Sequence, residues 1–308
     1  MNKVWVTGDA VVDLIPDSDI RYLKCPGGAP ANVAVAISRL GGNTAFFGRV
    51  GQDPLGRFMK QALTDEKVNT DDMLLDESQR TSTVIVDLDD DGERSFTFMV
   101  KPSADQFFNV EDIPTFASGQ WMHSCSIALA NEPSRSATLE AMKRMKSAGG
   151  FISFDPNLRE EVWADPSEIQ DVVMSAVKLA DVVKFSEEEL TFLTHAETLD
   201  WALDALNFAS NKLIIVTLGA RGALAVFNGE RRVIEGTKVE QVIDTTGAGD
   251  AFVGGLLAKL SQSDDWCSWP QIEAAVHWGN ACGALATTQK GAMTALPFIE
   301  QLNELVDN

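Results

Sequence analysis

The sequence predicts an α/β fold of three layers, α/β/α, carrying a small additional β-sheet. Three observations predict it. Short apolar runs alternate with helical patterns over nearly all of the 308 residues. Two β-rich runs near residues 83–100 break that alternation. A chain of this length that is 45% hydrophobic can bury a full three-layer core as one large domain.

The elements follow in order. Val4–Val6, Ala45–Val50, Trp121–Ser124, Phe151–Phe154, Val182–Phe185 and Leu213–Thr217 are short, apolar and rich in β-branched or aromatic residues, as buried parallel strands are. Between them, Ala31–Leu40, Ser134–Ala148, Ser186–Thr194 and Ile272–Ala286 carry the helical period. Asn131 and Pro133 open one of these helices, and Gly149 closes it. Thr83–Leu88 and Arg94–Val100, joined by Asp89-Asp-Asp-Gly92, form a hairpin signal. Its alternation puts Arg94, Phe96, Phe98 and Val100 on one side and Ser95, Thr97 and Met99 on the other. A further strand is expected to end at Val242-Ile243. A small-residue turn follows it, then a helix with Phe252, Val253, Leu256, Leu257 and Leu260 at helical spacing.

Composition excludes several functions. The net charge of −20 argues against nucleic acid or an anionic membrane as partner. It does not exclude a nucleotide, whose site depends on local N–H groups, a few cations and Mg²⁺. No apolar run reaches membrane-spanning length, and the N-terminus enters a strand within three residues. Cys25, Cys125, Cys267 and Cys282 are scattered without a CxxC pair, so reduced thiols and a cytoplasmic location are expected. His123, His195 and His277 are too dispersed for a zinc site.

The most informative stretch is Asp244-Thr-Thr-Gly-Ala-Gly-Asp250. Gly247, Ala248 and Gly249 stand where a helix's first N–H groups lack internal partners, which makes an anion site. Asp250 sits within the first turn. A carboxylate beside an anion cradle suits a phosphoryl group in transit, with the carboxylate taking the acceptor's proton. An acid near a helix N-terminus is also what the dipole alone favours. No GxxxxGK[ST] loop occurs, which excludes a Walker-type site, and no strand–GxGxxG–helix occurs.

Together with Gly27-Gly28-Ala-Pro-Ala-Asn32-Val-Ala34, Gly41 and Gly51, this stretch resembles the two signatures of the PfkB (ribokinase-like) carbohydrate kinases. The resemblance runs from Val4 to about Pro297. The wording around the motifs is most similar to bacterial fructokinases, with aminoimidazole riboside kinases as near relatives of that branch. The resemblance implies a ribokinase-like three-layer sandwich as one domain over 1–308, with a β-sheet lid built from about 14–26 and 82–103. It implies a kinase taking ATP, Mg²⁺ and an activating K⁺, and D-fructose phosphorylated to D-fructose 6-phosphate. Aminoimidazole riboside, ribose or 2-keto-3-deoxygluconate are the alternative acceptors, and a non-enzymatic sugar-binding regulator is the alternative of a different class.

Asp250 would be the base, with the Gly247, Ala248 and Gly249 amides facing the transferring phosphoryl. Asp13, Gly28, Asn32, Phe98 and Arg159 would meet the sugar. Asn157, Lys184, Thr217, Gly219, Gly222 and Asn280 would surround the nucleotide. Lys184 carries an argument of its own, because a lysine closing a buried strand costs free energy unless paired. Glu189 would arrange Mg²⁺ through water, although Ser186 stands where the family has Asn. Asp244, Thr246 and Gly291 match the family's potassium site, and Asp244 could equally be a turn-stabilising Asx residue. Lid sheets of this family often pair between subunits, so a homodimer through the lid is expected.

Overall fold

The computed structural model describes residues 1–88, 94–206, 212–263 and 265–306. Strands β1 (Val4–Thr7), β4 (Thr44–Gly51) and β5 (Met73–Asp76) lie side by side and parallel. On the other side of β1 come β8 (Trp121–Cys125), β9 (Phe151–Asp155), β10 (Val182–Ser186) and β11 (Leu213–Thr217), also parallel. Two antiparallel strands, β12 (Gly222–Phe227) and β13 (Glu230–Glu235), finish that edge. Among the described residues the large sheet therefore has the order β13-β12-β11-β10-β9-β8-β1-β4-β5.

Helices cover both faces, as a sheet with two apolar faces requires. On one face lie α1 (Ala29–Arg39), α2 (Pro54–Asp65), α7 (Ala248–Leu260), α8 (Trp269–Ala286) and α9 (Ile299–Val306). On the other lie α3 (Ser134–Ser147), α4 (Ile169–Leu179), α5 (Glu187–Thr194) and α6 (Leu199–Leu206). The strand period of two divides each strand between the cores: Leu213 and Ile215 join the first, Ile214 and Val216 the second.

The central helix α7 is apolar nearly all round and lies between α1 and α8. Two interior glycines make the close approach possible. A Cβ on Gly254 would overlap Ala36 Cβ, and one on Gly255 would stand 2.7 Å from the Trp278 carbonyl. Gly254→Ala is accordingly expected to destabilise the protein by about 1–3 kcal/mol through overpacking. Thermal unfolding checks this, and a midpoint at or above that of the parent would refute it.

A second sheet stands apart from the first, in the order β3-β2-β6-β7. It contains β2 (Val11–Ser18), β3 (Arg21–Gly27), β6 (Thr83–Leu88) and β7 (Arg94–Phe98). Strand β2 pairs antiparallel with β3 and parallel with β6, aligning Asp13 with Val84, and Val84 in turn faces Phe98 across β6 and β7. The sheet begins before Asp13, which is itself a strand residue. The Asp89–Gly92 turn and the side chains of Arg94 and Phe96 fall outside the described residues.

Two expectations need correction. Strand β7 ends at Phe98, so Val100 is not part of it. Val242 and Ile243 do not form a strand: the Ile243 and Asp244 N–H groups both donate to the Thr287 carbonyl at the end of α8. Val242 and Ile243 are 58% and 50% exposed. The expected helices are present, with starts and ends within three residues of those expected, and Ser186 is the N-cap of α5 rather than its first residue.

Candidate active site

Strand β1 is where the chain changes direction across the sheet, going to β4 on one side and β8 on the other. Crevices at the carboxyl ends of strands flanking such a switch are where open α/β sheets bind ligands. A cavity of about 730 Å³ lies there. Its lining comes from the loops after β1, β8 and β9, from Lys184 of β10, from the second sheet, and from the N-terminal ends of α1 and α7.

Both helix starts depend on glycine. Gly28, the N-cap of α1, has φ 100°, and a Cβ there would lie 2.6 Å from the Asp9 carbonyl. Gly247, the N-cap of α7, has φ 75°, and a Cβ would lie 2.9 Å from Ala292 Cα. These left-handed conformations are unfavourable for any side chain, and the space forbids one as well. The result is that two helix N-termini, each rich in free N–H groups, open into one cavity.

Asp250, at the third position of α7, accepts a hydrogen bond from Asn32 Nδ2 of α1 at 2.8 Å. Burial pushes its carboxyl up to about 6, against the Asn32 bond and the charges of Lys184 and Arg159, which pull it down. A carboxylate titrating there can hold or release a proton near neutral pH.

Lys184 explains its own burial. Its Nζ sits 3.0 and 3.2 Å from the two oxygens of Asp155, and Asp155 Oδ1 also accepts from the Asn157 N–H at 3.2 Å. Burial disfavours the ammonium, but Asp155 and Glu189 outweigh it and raise Lys184 above its ordinary value, so it stays charged. A Cβ built on Gly249 would lie 3.5 Å from Lys184 Nζ. The anion turn and the cation thus face the same point.

A second cavity of about 350 Å³ adjoins the first, sharing Val242, Thr245 and Gly249 in its lining. Thr217, Gly219, Gly222, Ala248 and Asn280 line it, together with Phe252, Gly283 and Ala284. Asn280 Nδ2 donates to the Ile234 and Glu235 carbonyls of β13, which fixes its amide.

Most of the residues singled out from sequence meet at these two cavities. Asp13, Gly28, Asn32, Phe98, Asn157, Arg159, Lys184, Asp244, Thr246, Gly247, Gly249 and Asp250 line the first. Asp244 binds the Thr246 N–H and hydroxyl through Oδ1 and the Gly291 N–H through Oδ2, drawing the loop before α7 to the loop after α8. Glu189 lines neither cavity. Its carboxylate accepts from the Ser186 and Leu158 N–H groups, and Ser186 Oγ accepts from Glu189 N, a complete capping box. Among the described residues no group of three His, Cys, Asp or Glu is arranged to hold a metal ion.

Sequence reasoning missed Asp9, Ile127 and Val84 in the first cavity, and the pairing of Asp155 with Lys184. Asp155 carried a signal, because an acid closing one buried strand beside a lysine closing the next is a pair waiting to be named. Asp9 carried none beyond its place after β1.

A family model described as pfkB family carbohydrate kinase matches residues 1–299. A fructokinase from Vibrio alginolyticus is 65% identical over 302 residues, covering 98% of this chain and 98% of that protein. An aminoimidazole riboside kinase from Salmonella typhimurium is 44% identical over 308 residues, covering 100% and 96%. The crystal structure of a fructokinase double mutant from Vibrio cholerae O395, in its fructose, ADP and potassium ion bound form, superposes with a TM-score of 0.95 at 62% identity. It covers 99% of this chain and 98% of that one. With both signatures at one cavity and the match running through nearly the whole length, the chain belongs to the pfkB family of carbohydrate kinases.

Proposed function

We infer that this protein is an ATP-dependent sugar kinase whose acceptor is D-fructose and whose product is D-fructose 6-phosphate. The observation that carries the chemistry is the meeting of Asp250, Asn32, Lys184 and the Gly247–Gly249 turn at one point. The choice of fructose is supported by the 65% identity to a fructokinase, against 44% to an aminoimidazole riboside kinase.

In this reading the sugar occupies the larger cavity among Asp13, Gly28, Asn32, Phe98 and Arg159. Asp250 takes the proton from the attacking hydroxyl, and Asn32 holds that carboxylate in place. The α7 N-terminus and Lys184 take up charge developing on the transferring phosphoryl, without any rearrangement at the moment of reaction. The adjoining cavity takes the nucleotide, with Thr217, Gly219, Gly222 and Asn280 around it and Asn157 beside the phosphates. The second sheet is the lid, and its closure over the sugar would keep water from the phosphoryl group.

Both ions fit the residues present in different ways. Mg²⁺ retains waters and binds through substrate phosphates, so it needs no all-protein cage. With the Glu189 carboxylate spent on backbone N–H groups, its part is to hold the Ser186 and Leu158 backbone and to reinforce the charge on Lys184. K⁺ suits the oxygen-rich loop of Asp244 and Thr246 held against Gly291, where it would supply positive charge beside the anion turn. Ile20, Tyr22, Leu23 and Met99 of the lid region are exposed and would be covered in a homodimer paired through that sheet. A cytoplasmic location accords with four cysteines scattered without a CxxC pair. Among the described residues no helix is long and apolar enough to cross a membrane.

The test is ADP release by purified protein with ATP, Mg²⁺ and K⁺ over fructose, aminoimidazole riboside, ribose and 2-keto-3-deoxygluconate. Preference for fructose by about a hundredfold or more in kcat/KM is the expected result. Preference for the riboside would keep the mechanism and change the acceptor. Silence on every acceptor, in folded protein that binds ADP, would overturn the sugar-kinase reading.

A further inference from the structure

The hairpin of β6 and β7 leaves the body of the molecule and returns to it at one place. The chain enters β6 through Thr81 and Ser82, both buried, and after β7 the Ala104 N–H donates to the Arg80 carbonyl at 2.8 Å. The Ser82 carbonyl also accepts from the Val12 N–H of β2, so the strand that carries Asp13 starts from the same root. Just beyond Thr81, Val84 lines the larger cavity, paired with Phe98 of β7, which lines it too. Where Thr81 is held therefore sets where that wall stands.

Thr81 is held by Asp53, the N-cap of α2, from 28 residues away. Capping the helix occupies Oδ1, which accepts from the Leu55 and Gly56 N–H groups at 2.9 and 2.8 Å. A serine or an asparagine would serve that purpose as well. The second oxygen takes no part in the cap: Oδ2 accepts from the Thr81 N–H at 2.9 Å. The Thr81 hydroxyl donates to Oδ1 at 2.8 Å and accepts from the Gly51 N–H at 3.0 Å. The packing leaves no slack, since a Cβ on Gly51 would overlap Asp53 Oδ2 and one on Gly56 would overlap the Gly51 carbonyl. Burial opposes the Asp53 charge, but the Thr81, Gly56 and Leu55 donors outweigh it and hold the carboxyl below its ordinary value. Helix α2 meets the same sheet again further along, where Lys24 of β3 lies over the Phe58 ring.

We propose that Asp53 is a positioning residue for phosphoryl transfer, whose Oδ2, bound to the Thr81 N–H, fixes the root of the β6–β7 hairpin and so holds Val84 and Phe98 over the larger cavity. The proposal rests on the sugar-kinase reading, with the second sheet as lid, and deepens it. Asp53 lines neither cavity and acts through Thr81. Its effect is on which nucleophile reaches the γ-phosphoryl group. With the apolar wall in place, only the sugar hydroxyl does. With the wall loosened, water does as well, giving ADP and inorganic phosphate in place of ADP and a sugar phosphate.

The experiment measures inorganic phosphate and sugar phosphate together, at saturating ATP and fructose, in the parent protein and in Asp53→Asn. An asparagine can still cap α2 through its carbonyl oxygen, but it puts an NH2 group where Oδ2 met the Thr81 N–H. The cap stays and the clasp opens. The share of ATP lost to inorganic phosphate is expected to rise about tenfold, the effect of losing one charge-assisted hydrogen bond, and the fructose KM to rise with it. Binding of an unreactive ATP analogue should stay near that of the parent. A merely structural role would lower both products in proportion. An unchanged share of inorganic phosphate in folded Asp53→Asn therefore overturns the proposal, whatever the KM.

If Asp53→Asn does not fold, Thr81→Val decides. Valine keeps the N–H bond to Oδ2 but loses the hydroxyl that joins Gly51 to Asp53. The share of inorganic phosphate should rise in the same direction, and Thr81→Ser, which keeps the hydroxyl, should match the parent. Equal shares in Thr81→Val and Thr81→Ser would overturn the proposal. Absence of sugar phosphate from the parent protein would overturn the sugar-kinase reading and this role with it. Sugar phosphate from the parent, with the same partition in the variants, overturns this role alone.

Discussion

Asp250→Asn is expected to lower kcat by at least ~10²-fold, the low end for a positioned general base. The substitution isolates the proton-accepting role. An asparagine side chain keeps the volume, and its carbonyl can still accept from Asn32 Nδ2, so the contact between α7 and α1 survives. Binding of an unreactive ATP analogue should therefore change little. The parent enzyme carries a matching pH signature. Burial raises the Asp250 carboxyl to about 6, and only the ionised form can take a proton. Turnover is thus fully present well above pH 6 and declines about tenfold per unit below it, a limb that the Asn variant should lack. Near-parental kcat in folded Asp250→Asn would remove Asp250 from the mechanism.

Asp155→Asn is expected to destabilise the protein by about 3–5 kcal/mol, because it leaves the buried Lys184 ammonium without its main counter-charge. In a chain of this length that is a fall of roughly 5–10 °C in Tm. Asp155 also holds the Asn157 N–H, so the ATP KM should rise at the same time. The double variant Asp155→Asn with Lys184→Met separates stability from chemistry. Removing both charges should recover much of the lost Tm, since a buried pair replaced by neutral residues is often neutral in stability. Activity should not recover, because the cation facing the Gly249 turn is gone. Equal Tm values for the single and double variants would show that the pair does not govern stability. Recovery of turnover in the double variant would show that Lys184 does not serve the phosphoryl group.

The central strands were legible because each is a short apolar run between helical patterns. The reading failed where an apolar pair serves something other than the core. Val242-Ile243 looks like a strand end, yet the Ile243 and Asp244 N–H groups bond the Thr287 carbonyl, Val242 borders both cavities and Ile243 borders the larger one. The helix α7 was legible from spacing, but the reason for Gly254 and Gly255 was not. That reason is the distance to Ala36 and Trp278, residues on other helices. Ser186-Glu-Glu-Glu189 was legible as a helix start, and the structure has the capping box that Ser186 and Glu189 can form.

The chain by itself determined the alternation that makes a three-layer α/β sheet, the glycine-marked helix start at Gly247–Asp250, and the family those residues belong to. These are local properties, carried by period, backbone freedom and the chemistry of neighbouring residues. Only the tertiary structure decided that Asn32 holds Asp250 and that Asp155 keeps Lys184 charged. Each of these depends on two groups far apart in sequence and on the removal of water between them. Burial is what makes a carboxyl's partner matter, and burial is set by the packing of the whole sheet and its helices rather than by any one segment.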